Sequence, residues 1–213
     1  MNFRKNLYDL ISDAHRYQYS DIAESKDDAK KKKPLLYFTL PQWSIIVLSI
    51  SITLLIKNGF SENFAGYIIS GLSLFVGIFF TFLITLYDKF KSIDFNQFQK
   101  SVNEVKYPIG VKLKNFFKKV SVLALYSVII SIVSILLLSA TLIFPQINIE
   151  IDIFNFIKSI DEQTVCTIIK TSLIIIYRVI VLYFLLDFLL ITLYIISSFY
   201  DFIVSEINKV KLS

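Results

Sequence analysis

One histidine, His15, and one cysteine, Cys166, stand in the whole chain. A single thiol excludes an intramolecular disulfide, and a single imidazole excludes any multi-histidine metal site. There are only five glycines, none in a phosphate-binding loop, and there is no nucleophile elbow or cysteine cluster. The usual routes to nucleotide turnover, metal catalysis and nucleophilic hydrolysis therefore lack their parts. Asp88, Asp94 and Glu104 lie among lysines along a helical pattern and read as a solvated face rather than as convergent catalytic carboxylates. The expectation is a non-enzyme with no cofactor and no metal.

What is present is apolar. Of 213 residues 55% are hydrophobic, and the mean hydropathy is +0.63. Long charge-free runs make that excess membrane-spanning rather than core. Spans are expected at about 38–56, 64–87, 120–144 and 171–195, the first with Trp43 near its start, where an indole favours the interface. Residues 1–33 precede this domain and carry no secretory signal. They read as an amphipathic helix, with Phe3, Leu7, Leu10, Ile11, Ala14 and Ile22 at helical spacing, followed by a lysine-rich linker. Residues 34–213 form the membrane domain, in which 88–119 is expected as a helical hairpin outside the bilayer. Its turn is placed at Tyr107-Pro108-Ile109-Gly110, followed by a basic lead-in to the third span.

The net charge of +5 would point to nucleic acid in a soluble protein, but here the basic residues border the apolar runs. Eight Lys or Arg precede the first span and eight separate the second from the third, against one after the first span and one between 145 and 163. The positive-inside rule then puts both termini in the cytosol, in a cell inner membrane. Lys30, Lys31, Lys32, Lys33, Lys118 and Lys119 read as contacts to anionic lipid or to a partner rather than to nucleic acid.

The last apolar run departs from that pattern. Between Lys170 and Tyr200 the charge-free stretches are 7, 8 and 13 residues long, broken by Arg178 and Asp187. A crossing helix needs roughly 20 residues, so an ionisable group must sit at membrane depth. Nine residues apart, the two charges lie on nearly opposite faces of a helix and about 13 Å apart along its axis, too far to neutralise each other. Lys170, Arg178 and Asp187 are thus candidate pathway or intersubunit charges. The alternative is structural, with Arg178 reaching to the outer interface and Asp187 bonded to a neighbouring hydroxyl.

Two stripes of small and hydroxylated residues recur at three or four spacing. Gly66, Ser70, Ser73, Gly77 and Thr81 mark the second span, and Ser127, Ser131 and Ser134 the third. Such stripes are tight helix-packing faces or, in an oligomer, a pore lining.

The layout of four spans, cytosolic termini, a KKKK-P lead-in at Lys30 to Pro34, a charged helical segment from Asp88 to Lys119 and a charged last span resembles small membrane proteins of bacterial antiphage systems. Examples are the membrane accessory of type VI-B CRISPR systems and the membrane subunit of Kiwa. The resemblance implies an oligomeric membrane effector or sensor under the control of a cytosolic partner that handles nucleic acid. Two expectations stay open: a pore-forming, membrane-permeabilising oligomer, or a non-conducting anchor or sensor that binds its partner through 1–33 and 88–119.

Overall fold

The structure, a computed structural model, describes residues 3–18, 38–99, 106–144, 147, 149–151, 156 and 165–207. Lys30 to Lys33 lie outside them. The described residues form helices α1 (Phe3–Tyr17), α2 (Leu40–Leu55), α3 (Glu62–Ser92), α4 (Tyr107–Ile143) and α5 (Val165–Ile207), with a 3₁₀ turn at Phe95–Phe98 and no strand. At 31, 37 and 43 residues, α3, α4 and α5 exceed the roughly 20 that cross a bilayer. All three are also apolar enough, so the described residues are those of an all-helical, membrane-embedded protein. The apolar α2 has 16 residues, about 24 Å at 1.5 Å per residue.

The fold divides into two compact units, Met1–Thr39, Gly77–Val128 and Leu190–Ser213 in the first, and Leu40–Val76 and Ile129–Leu189 in the second.

In the first unit α1 buries Ala14, and its Asp13 carboxylate lies 3.4 Å from Arg16 and 3.6 Å from Lys118 of α4. Lys89 and Lys91 sit in the last turn of α3, where cations complement the helix dipole. Asp94 then accepts the Asn96 N–H at 3.0 Å and starts the 3₁₀ turn. Residues 107–110, expected as a turn, are instead the first turn of α4, and the Gly110 N–H already donates to the Lys106 carbonyl at 3.1 Å. The physical reason is that proline in a first helical turn forfeits no internal hydrogen bond and arrives with its φ preset. Gly110 is there for space, since a Cβ on it would lie 2.4 Å from Cβ of Phe98. Beyond it a chain of rings holds the unit together. Phe116, almost fully buried, stacks on Phe202 at 4.1 Å between centroids and meets Phe199 edge-on at 5.3 Å. Phe117 meets Phe90 at 5.5 Å in the same way.

In the second unit Ser61 caps α3, its hydroxyl accepting the Phe64 N–H at 3.2 Å. Phe60, Ala65, Leu138, Val181 and Leu182 form its core, and Phe75 packs edge-on against Phe188. Lipid removes most of the hydrophobic drive between helices, so close packing of small residues has to supply the cohesion. Accordingly, the small hydroxyl residues Ser49 and Thr53 of α2 and Ser131, Ser134 and Thr141 of α4 are buried. Large side chains of this unit such as Leu74, Leu136, Leu142 and Leu189 point outward, as a lipid-facing surface requires.

Candidate intramembrane site

The polar interior of the second unit is built first from hydroxyls. A hydroxyl is tolerable in an apolar interior when its proton has an acceptor, and a helix offers one a turn back. Ser49 donates to the Ile45 carbonyl at 2.8 Å, Thr53 to Ser49 at 2.8 Å and Thr141 to Leu138 at 2.7 Å. Ser134 is the exception, for its buried hydroxyl has no partner among the described residues. The Tyr177 hydroxyl donates to the Leu137 carbonyl and ties α5 to α4.

Arg178 and Asp187, the two charges of the last apolar run, are both 2% exposed. Their environments differ. Arg178 reaches the segments that join helices, where its guanidinium donates to the carbonyls of Ile149 at 2.6 Å, Lys57 at 3.4 Å and Ile147 at 3.5 Å. The Lys57 carbonyl also accepts the Ile151 N–H at 2.9 Å. One cation therefore gathers backbone acceptors that no helix satisfies, and clasps the connection after α2 to the connection after α4. Arg178 also stands on the wall of a small pocket with Thr53, Asn58, Gly59, Phe60 and Leu182.

Asp187 has no such partners. Its Oδ1 is buried without a hydrogen bond, and among the described residues its carboxylate makes no hydrogen bond or ion pair. Nine residues of helix put it about 13 Å along the axis from Arg178, close to half of the ~30 Å hydrocarbon thickness. A buried carboxylate without a partner costs several kcal/mol, so the arrangement implies a neutralising species or a further contact.

The other sequence candidates fall into separate places. Lys170 is exposed on α5 and lies apart from the clasp. Ser127, Ser131 and Ser134 are fully buried on α4, Ser127 in the first unit and the other two in the second. Ser70, Ser73, Gly77 and Thr81 face outward on α3, with Gly66 half-buried, and among the described residues nothing beyond the backbone of α3 itself lies within 4 Å of a Cβ placed on Gly66 or Gly77. Ser73 and Thr81 bond back to their own helix at 2.8 and 3.2 Å, so this stripe can face lipid at little cost. Lys118 and Lys119 sit near the start of the apolar part of α4, Lys118 exposed and Lys119 half-buried.

Sequence reasoning missed the acceptors of Arg178, because a backbone carbonyl has no residue signature. It also missed Tyr177, Ser49 and Thr53, whose one signal was a hydroxyl at helical spacing from a charge. No protein-family model matches this chain, nor does any curated protein or solved structure.

Proposed function

We propose that this chain is a four-span protein of the cell inner membrane, with both termini cytosolic, that assembles into a homo-oligomer and permeabilises the membrane in a bacterial defence setting. The observation that carries the reading is the buried Asp187 carboxylate, whose Oδ1 is without a hydrogen bond among the described residues, in a unit whose helices carry buried hydroxyls. Intramembrane acids in such surroundings mark ion pathways more readily than they mark stable packing. Arg178 is engaged by carbonyls of its own chain, so Asp187 is the pathway charge. The fourth span is α2 with its flanking residues, a short crossing that local thinning of the bilayer accommodates. The orientation rests on the distribution of lysine and arginine. The defence setting and a cytosolic, nucleic-acid-handling partner rest on the layout alone.

A second reading keeps the membrane domain as a non-conducting anchor or sensor. It is favoured by α1, which the Asp13 contact to Lys118 joins to α4 as an ordered platform for a partner. The deciding experiment records membrane potential in cells expressing the wild type, Asp187→Asn and Arg178→Leu, alone and with neighbouring gene products, together with the particle mass in detergent. Depolarisation that needs Asp187, in an oligomer, supports permeabilisation. A silent membrane and a stable partner complex transfer the conclusion to the anchor.

A further inference from the structure

We propose that Asp187 is a binding site for a small monovalent cation from solution, a proton or an alkali-metal ion, held near the middle of the membrane. The inference rests on Asp187 being the pathway charge and adds what that charge takes up.

Three observations carry it. First, the carboxylate is 2% exposed and unpartnered among the described residues. Such a group persists in an apolar interior only if something neutralises it. Second, the protein cannot supply the counter-charge. The unit's stretches of α2, α3 and α4 contain no lysine, arginine or histidine. Arg178 lies on the same helix, about 13 Å along the axis and on nearly the opposite face, committed to three carbonyls. Every other basic residue of the chain lies outside the expected spans. A second copy in the same orientation brings no nearer cation, because its own Arg178 sits at the same depth as the first. Third, the same unit holds neutral oxygens, the buried hydroxyls of Ser49, Ser131 and Ser134, the last without a partner among the described residues. One carboxylate with neutral oxygens suits a singly charged hard cation better than a divalent one, which takes more oxygen ligands, commonly several carboxylates. The other titratable side chains of α5 within ten residues of Asp187 are Tyr177, Arg178, Tyr183 and Tyr194, of which Tyr183 is one turn away, whereas Tyr67 of α3 is exposed. The tyrosines titrate far above the range in which a carboxyl does, so proton uptake near neutral pH is read at Asp187.

The first readout uses the full-length wild type in lipid vesicles and needs no variant. A lipid-soluble carbodiimide modifies a protonated carboxyl in apolar surroundings, and peptide mass spectrometry assigns the modified residue. Difference infrared spectroscopy against Asp187→Asn reads the carboxyl in parallel. Proton binding predicts modification at Asp187 that falls about tenfold per pH unit once the group ionises. An alkali-cation site predicts that Na⁺ or K⁺ protects Asp187 at constant pH. An ionised carboxylate band that neither pH nor Na⁺ or K⁺ changes, with no modification, overturns the proposal by showing a permanent protein partner. Cation flux in the same vesicles separates this from the permeability reading. Titration without flux leaves the site standing and removes the pore, whereas flux that survives Asp187→Asn with no titration does the reverse.

Discussion

Replacing Arg178 by leucine tests whether the guanidinium holds the helix connections together or is merely accommodated there. The short bond to Ile149 is charge-assisted and buried at 2.6 Å, and its loss costs about 1.5–3 kcal/mol. The contacts to Lys57 and Ile147, at 3.4 and 3.5 Å, are long and add little. Lys57 is not orphaned either, because its carbonyl keeps the Ile151 N–H at 2.9 Å. Against this loss stands the relief of removing a buried charge, which in some proteins outweighs the bonds given up. Here the guanidinium is already solvated by carbonyls of the segments that join the helices, which offsets part of its desolvation, so a net destabilisation of about 1–3 kcal/mol is expected. For a chain of this size that lowers Tm by about 3–10 °C. The assay is thermal unfolding in one detergent, with Arg178→Lys as control. A lysine keeps the charge but not the planar fork and should recover only part of the loss. If Arg178→Leu melts at or above the wild-type temperature, the clasp contributes nothing and the reasoning fails.

Other changes follow from the same geometry. Gly110→Ala forces a Cβ to within 2.4 Å of Phe98. Despite the better helix propensity of alanine it should destabilise by about 1–2 kcal/mol. Because the nearest atom is Cβ of Phe98, Phe98→Gly should relieve the strain when the double mutant is unfolded in parallel, whereas Phe98→Ala, which keeps that Cβ, should leave most of it. Phe116→Ala removes a buried ring that touches Phe117, Phe199 and Phe202 and should cost about 3–5 kcal/mol, read as a lower Tm or as loss of monodisperse protein. Gly77→Leu has open space around its Cβ within one chain. Unchanged stability with a reduced particle mass in detergent would place the α3 stripe at a subunit interface, whereas unchanged mass would assign it to lipid. Asp13→Ala breaks the ion pairs to Lys118 and Arg16, whose side chains are 54% and 44% exposed, so stability should change by less than about 1 kcal/mol, and any effect should fade with salt.

Much of the fold was legible because the signals are local. A run of apolar residues too long for a soluble helix, bounded by lysines, specifies a spanning helix whatever surrounds it, and in this way α3, α4 and α5 follow from composition and spacing alone. That Arg178 and Asp187 interrupt the last apolar helix was legible by the same counting, and the structure buries both side chains. The start of α4 was misplaced because Pro108 and Gly110 carry the same letters in a turn as in a first helical turn, and what distinguishes the two is the packing of Phe98 against Gly110. The two hydroxyl stripes look alike in the sequence. Only the tertiary structure buries one on α4 and turns the other outward on α3, since a stripe's orientation depends on which neighbour the helix meets.

The two charges show the same division. The sequence by itself determined that two opposite charges sit on one membrane helix and cannot neutralise each other, because the helical rise and the angle per residue are fixed by the backbone. Only the tertiary structure decided that Arg178 finds carbonyls and Asp187 finds none, because those acceptors come from residues 121, 31 and 29 positions away in the chain.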